Sequence, residues 1–135
     1  MFRYTHRVHF SDTDVTGWTY YSKPLEWMEW CRSDFFRQRF GDLLDLSKQT
    51  NVSVFPASVR IDYKRPIYFD EEVEIQLMVK EIHPYSFIFY YELFCQGQKV
   101  IVAEMNMVTA DVHTNRLARI PESVKELLRE HLLPA

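Results

Sequence analysis

Apolar positions along the chain fall into two rhythms, one of two residues and one of three to four, and each predicts a different kind of element. Tyr4 to Phe10 alternates, with Tyr4, His6, Val8 and Phe10 on one face and Thr5, Arg7 and His9 on the other, which predicts a first strand. From Leu25 to Phe40 the spacing lengthens. Leu25, Met28, Cys31, Phe35 and Phe36 recur at helical intervals, and Trp27 and Trp30 widen the apolar arc, with both rings expected in the core. So broad an arc predicts a helix enclosed by a sheet. Pro24 suits its first turn, which needs no N–H for the helical ladder, and Gly41 is a stop signal.

Gly41 to Gln49 reads as a polar connection pinned by Leu43, Leu44 and Leu46. The period of two then returns and predicts strands at Val52 to Tyr63, Glu72 to Ile82, Ser86 to Cys95 and Lys99 to Val112. Pro56 within the first of these predicts a bulge or an edge position, since proline cannot donate to a ladder. Ser86 to Cys95 is apolar and aromatic on both faces, as a central strand should be. Pro121 opens a last helix whose stripe is Val124, Leu127, Leu128 and Leu132. One early strand, one long buried helix and an antiparallel meander make an α+β arrangement with the meander curled around that helix.

Composition narrows the classes. The chain has 135 residues, 47% hydrophobic and 16% aromatic, enough for one packed domain over residues 1–135 with no linker or repeat. A formal charge of -3, with Lys and Arg scattered, argues against nucleic acid as a partner. No apolar run of signal-peptide length follows Met1 and none is long enough to span a bilayer, so a cytoplasmic location is expected. Cys31 and Cys95 lie apart inside apolar segments and read as buried thiols. The five histidines show no ligand spacing, so no metal is expected.

Candidate chemistry collects just upstream of the long helix. Asp12, Asp14 and Gly17 lie within six residues, and a helix N-terminus offers N–H groups and a positive dipole end to developing negative charge. A carboxylate beside such donors suits acyl transfer. The same residues also suit a capped turn with a positive φ at Gly17. Trp18, Tyr20 and Tyr21 either line a pocket for a flat acyl group or pack as core. Arg60, Lys64 and Arg65 form a small basic group near a strand end, either a solvated face or a clamp for an anionic ligand.

The order Asp12-x-Asp14-x-x-Gly17, then Tyr20-Tyr21, then a helix with Trp27, Glu29 and Arg32, resembles the 4-hydroxybenzoyl-CoA thioesterase family of hotdog-fold acyl-CoA thioesterases. The match is dense from Phe10 to Arg32 and looser as far as Pro121. The resemblance implies a hotdog fold, a curved antiparallel sheet wrapped around one long central helix, and hydrolysis of an acyl thioester without a cofactor. Residue by residue it implies that Asp14 is the catalytic carboxylate, as nucleophile or general base, and that Asp12 is structural. The Tyr21 backbone N–H would polarise the thioester carbonyl, and Gly17 would let the loop approach the substrate. Trp18, Tyr20, Arg60 and Lys64 are the candidate substrate contacts.

Tyr21 stands where many members carry His, which leans toward an aromatic or bulky acyl group. Pro24 replaces a usual Tyr. The turn His83-Pro84-Tyr85 lacks the basic charge that meets coenzyme A phosphates in the hydroxybenzoyl branch, so an acyl carrier protein is a second possible thiol carrier. The family implies a homodimer or homotetramer in which residues near Ala57 to Arg60 of a partner chain complete the pocket. Two competing functions share the fold: a non-catalytic acyl-CoA or acyl-carrier-protein thioester binding module, and a hydratase, which would need a histidine beside a carboxylate at the pocket.

Overall fold

In the computed structural model, which describes residues 1–134, five strands form one curved antiparallel sheet accompanied by three helices. In chain order these are β1 (Phe2–Arg7), α1 (Lys23–Phe40), α2 (Leu43–Thr50), β2 (Val52–Tyr63), β3 (Glu72–Ile82), β4 (Ser86–Cys95), β5 (Gln98–Asp111) and α3 (Glu122–Glu130). Sheet order is β1-β3-β4-β5-β2, which puts β4 in the centre and leaves β1 and β2 as edges.

β4 is central for the reason its sequence suggests. Phe87, Phe89, Tyr91, Leu93 and Cys95 are fully buried on one face, while Ile88, Tyr90, Glu92 and Phe94 are half-buried on the other. That second face is crossed by ion pairs, Lys80 to Glu104 and Lys99 to Glu92, so it is not a bare apolar surface. β2 carries the anticipated irregularity: its register with β5 shifts between Pro56 and Ser58, and it is also an edge. Its apolar residues are poorly covered, with Phe55, Val59 and Tyr63 all more than two-fifths exposed.

The core joins one face of α1 to the sheet. Trp27, Met28, Cys31, Phe35, Phe36 and Phe40 of α1 belong to the same buried cluster as Ile75 and Leu77 of β3, Phe89 of β4, Met105 of β5 and Leu128 of α3. Burying side chains of this size stabilises by about 1.5–3 kcal/mol each. Trp30 is not part of it: 40% exposed, it lies edge-on to His6 at 5.3 Å.

Four expectations change. The single long helix is one of three, and α1 is 18 residues. The presumed connection after Gly41 is helical, because Asp42 and Asp45 cap each other's backbone N–H groups at the start of α2. β1 stops at Arg7, since the chain curls into a 3₁₀ turn at Phe10–Asp12 and leaves Phe10 78% exposed. Leu132 lies past the end of α3, bridged to Val79 and 45% exposed, so the α3 stripe is Val124, Leu127 and Leu128.

Candidate active site

The segment between β1 and α1 is a closed loop held by its own backbone. Asp12 begins it: one carboxylate oxygen accepts the His9 N–H at 2.9 Å and lies 2.9 Å from His6 Nε2. Asp12 is buried, and burial alone would raise its pKa. The hydrogen bonds from His6 and His9, with the positive charge those imidazoles can carry, outweigh it and hold the carboxyl below its ordinary value. Asp12 is therefore a turn anchor, as the family pattern implies. The His6–Asp12 pair is the one histidine–carboxylate contact beside the loop, and it is buried against Trp27, with ring centroids 4.8 Å apart, rather than open to a pocket.

From Asp12 the chain loops out and returns. Asp14 N–H donates to the Trp18 carbonyl at 2.8 Å, Gly17 N–H donates to the Asp14 carbonyl at 3.1 Å, and Thr13 bridges Thr19. Gly17 turns the loop at φ 82°, a conformation that residues with a side chain rarely adopt, with open space where a Cβ would sit. The loop is docked by Thr19 N–H on the Ile67 carbonyl at 2.8 Å and closed by Tyr20 N–H on the Asp12 carbonyl at 2.9 Å. Asp14 faces outward on this frame. Its carboxylate accepts from both the hydroxyl and the backbone N–H of Thr16, and these bonds hold its pKa below the ordinary carboxylate value. It is ionised at neutral pH.

Where the loop meets α1, two donors are left over. Lys23 N–H bonds the Tyr20 carbonyl at 3.0 Å, Pro24 has no N–H, and Leu25 N–H bonds the Ser22 carbonyl at 3.2 Å. Among the described residues nothing accepts from Tyr21 N–H or Ser22 N–H. Ser22, the N-cap, makes no side-chain cap. These N–H groups stand at the positive end of an 18-residue helix.

Trp18, Tyr20, Tyr21 and Lys64 line one cavity of about 330 Å³, with Tyr63 and Ile67 among its other walls. Asp14 and Gly17 belong to the loop that frames it but do not line it. Arg60 is not brought to this cavity: its side chain is 81% exposed, 3.7 Å from Asp62, and faces a separate depression shared with His83 and Glu104. Arg65 also lines the cavity, with its terminal nitrogens paired to Glu71 at 3.1 and 2.9 Å. Tyr63 was not singled out by sequence, yet its hydroxyl donates to the Tyr21 carbonyl. The only hint was its place at the end of an alternating strand. No group of three histidine, cysteine or acidic side chains able to hold a metal occurs among the described residues.

The fold has known counterparts. The chain is 26% identical over 132 residues to an acyl-CoA thioesterase, YbgC, of Helicobacter pylori, covering 90% of this chain and 96% of that one. It is 26% identical, again over 132 residues, to a 1,4-dihydroxy-2-naphthoyl-CoA hydrolase of a Synechococcus strain, covering 93% and 88%. A crystal structure of a protein from Aquifex aeolicus superposes with a TM-score of 0.88 at 25% identity, over 95% of this chain and 99% of that one. The profile of the thioesterase-like superfamily matches residues 8–128, from the end of β1 through most of α3. The chain therefore belongs to the thioesterase-like superfamily, as a hotdog-fold thioester hydrolase.

Proposed function

We propose that the protein hydrolyses an acyl-CoA to free acid and thiol, with the Asp14 carboxylate as nucleophile or general base and the Tyr21 backbone N–H as oxyanion donor. The observation that carries the reading is the pair of unpartnered N–H groups at the start of α1, set directly after the loop that holds an ionised, outward-facing Asp14. Attack on the thioester carbonyl places negative charge on its oxygen, and a fixed backbone donor stabilises that charge more than it stabilises the neutral ground state. As nucleophile, Asp14 forms a mixed anhydride and expels the thiolate, and water then releases the acid. As general base, it takes a proton from the attacking water and passes it to the departing thiolate.

The cavity lined by Trp18, Tyr20, Tyr21 and Lys64 is the acyl pocket in this reading, and its flat walls favour an aromatic or bulky acyl group. The Synechococcus relative, named for dihydroxynaphthoyl-CoA, supports the same direction, and the Helicobacter relative, named for acyl-CoA, supports the thiol carrier. Gly17 gives the loop its turn, and Arg60 serves a partner's pocket rather than its own. That role fits a homodimer or homotetramer formed through the open β2 edge, where Phe55, Val59 and Tyr63 are exposed. The two free, buried thiols accord with a reducing cytoplasm.

Thiol release from a panel of short-chain, long-chain and aromatic acyl-CoAs, with acyl carrier protein thioesters in parallel, tests the reading. Turnover of at least one acyl-CoA that Asp14→Asn reduces is the expected result. Tight binding without turnover would instead identify a binding module. Light scattering at micromolar concentration tests the assembly, and a monomer would remove the shared pocket.

A further inference from the structure

We propose that Tyr63 is a positioning residue for the hydrolysis: its hydroxyl, donated to the Tyr21 carbonyl, holds the segment whose free N–H groups receive the oxyanion. The proposal rests on the reading of Tyr21 N–H as the donor.

The segment needs such a hold. Tyr20 is pinned at both of its backbone groups, by the Asp12 carbonyl and by Lys23 N–H. Immediately after it the Ser22 carbonyl is held by Leu25 N–H, but the N–H groups are not. Tyr21 N–H and Ser22 N–H donate to nothing, the Tyr21 side chain is 77% exposed, and Ser22 gives no cap. A donor that must point at one place in the transition state is useful only if its peptide plane is fixed beforehand. Tyr63 fixes the next peptide plane, which joins the Tyr21 carbonyl to the Ser22 N–H; with the Tyr20 carbonyl held by Lys23 N–H, it clamps Tyr21 from both sides. Its bond is the only hydrogen bond from the sheet to residues 20–22 among the described residues, and it crosses 42 positions of sequence.

The anchor end is rigid. Tyr63 pairs with Ile101 of β5, and immediately beyond it Lys64 N–H bonds the Val100 carbonyl at 2.7 Å. The phenol is therefore presented from a paired strand end to a helix start with no side-chain cap. Partial burial, and secondarily the neighbouring Tyr21, raise the Tyr63 pKa above its ordinary value, so the hydroxyl keeps its proton throughout the neutral range. The same ring also walls the 330 Å³ cavity beside Tyr21, which ties acyl pocket and donor alignment to one side chain.

Tyr63→Phe separates the two roles, because it keeps the ring and removes the hydroxyl. We expect kcat to fall about tenfold, the rate equivalent of one net hydrogen bond, with KM within about twofold. Tyr63→Leu should show the same kcat loss and in addition a raised KM. Amide ¹⁵N relaxation gives a readout that needs no turnover: Tyr21 and Ser22 should become more mobile in Tyr63→Phe while Leu46 in α2 does not. Unchanged kcat, or a change in KM alone, would overturn the proposal and leave Tyr63 as a pocket wall. Unchanged Tyr21 and Ser22 relaxation would overturn it as well. If the unsubstituted protein released no thiol from any acyl-CoA but Tyr63→Phe still loosened both amides, the positioning contact would stand and the assignment of the donor's chemistry would fall.

Discussion

At its C-terminal end α1 is packed into a dry corner. Phe35 is fully buried, with ring centroids 5.8 Å from Phe2, 5.3 Å from Phe36, 5.4 Å from Phe89 and 4.9 Å from His131. At its N-terminal end the same helix starts among exposed rings, Tyr21 at 77% and Tyr20 at 50%, with two backbone donors idle. The contrast assigns work within one element. Burial at the far end supplies stability, while the near end keeps two solvent-facing N–H groups that no other part of the chain occupies and that a ligand can take from water.

Substitutions at the two ends should therefore separate turnover from stability. The largest effect is expected at the exposed end: Asp14→Asn should lower kcat by roughly 10² to 10⁴ with little change in KM and almost none in melting temperature. Steady-state kinetics beside a thermal melt would show it, and an unaltered kcat would remove Asp14 from the chemistry. At the buried end Phe35→Ala should cost about 3–5 kcal/mol of folding stability, read from urea unfolding, while the folded fraction retains most of its kcat. A selective loss of turnover there would erase the division.

Asp12 stands between the two regimes and should respond to pH as a structural carboxylate. Its folded pKa lies below the unfolded value of about 3.9, so the stability it contributes is present above that pH and is lost as pH falls through the folded value. Melts on the acid side should show this loss in the wild type and not in Asp12→Asn. At neutral pH Asp12→Asn should cost about 1–3 kcal/mol, because the amide oxygen that takes over the two contacts made by one carboxylate oxygen carries no charge to strengthen them. The acid limb of kcat should instead follow Asp14. Its folded pKa is also lowered, by Thr16, so activity persists to a pH below the ordinary carboxylate range, and Thr16→Val should move the limb upward. The smallest effect belongs to Tyr21→Phe, under about threefold in kcat, since the backbone donor survives any substitution except proline. Abolished activity in that variant would transfer the chemistry to the phenol.

Much of this was legible in the order of residues because the relevant physics is local. Strands β2, β3 and β4 have the bounds their alternation predicts, and in β3 and β4 a period of two leaves no other register because one face is buried. The helix after Pro24 and the loop before it were legible for the same reason, through spacing and turn chemistry. The α2 helix was missed although its mutual cap, Asp42 and Asp45, was present. Three leucines in a short polar stretch resemble a pinned loop as much as a helix, and the cap decides between them.

By itself the sequence determined most of the elements, the loop that leads into α1 and the α+β class, because propensity, periodicity and capping act over a few residues. Only the tertiary structure decided which aspartate is buried, that Trp30 lies outside the core, and that Arg60 stands apart from the cavity lined by Lys64. It also decided that the Tyr63 hydroxyl meets the Tyr21 carbonyl. These depend on how the sheet curves and where α1 settles on it, a collective outcome of packing between residues far apart in the chain, which no local pattern encodes.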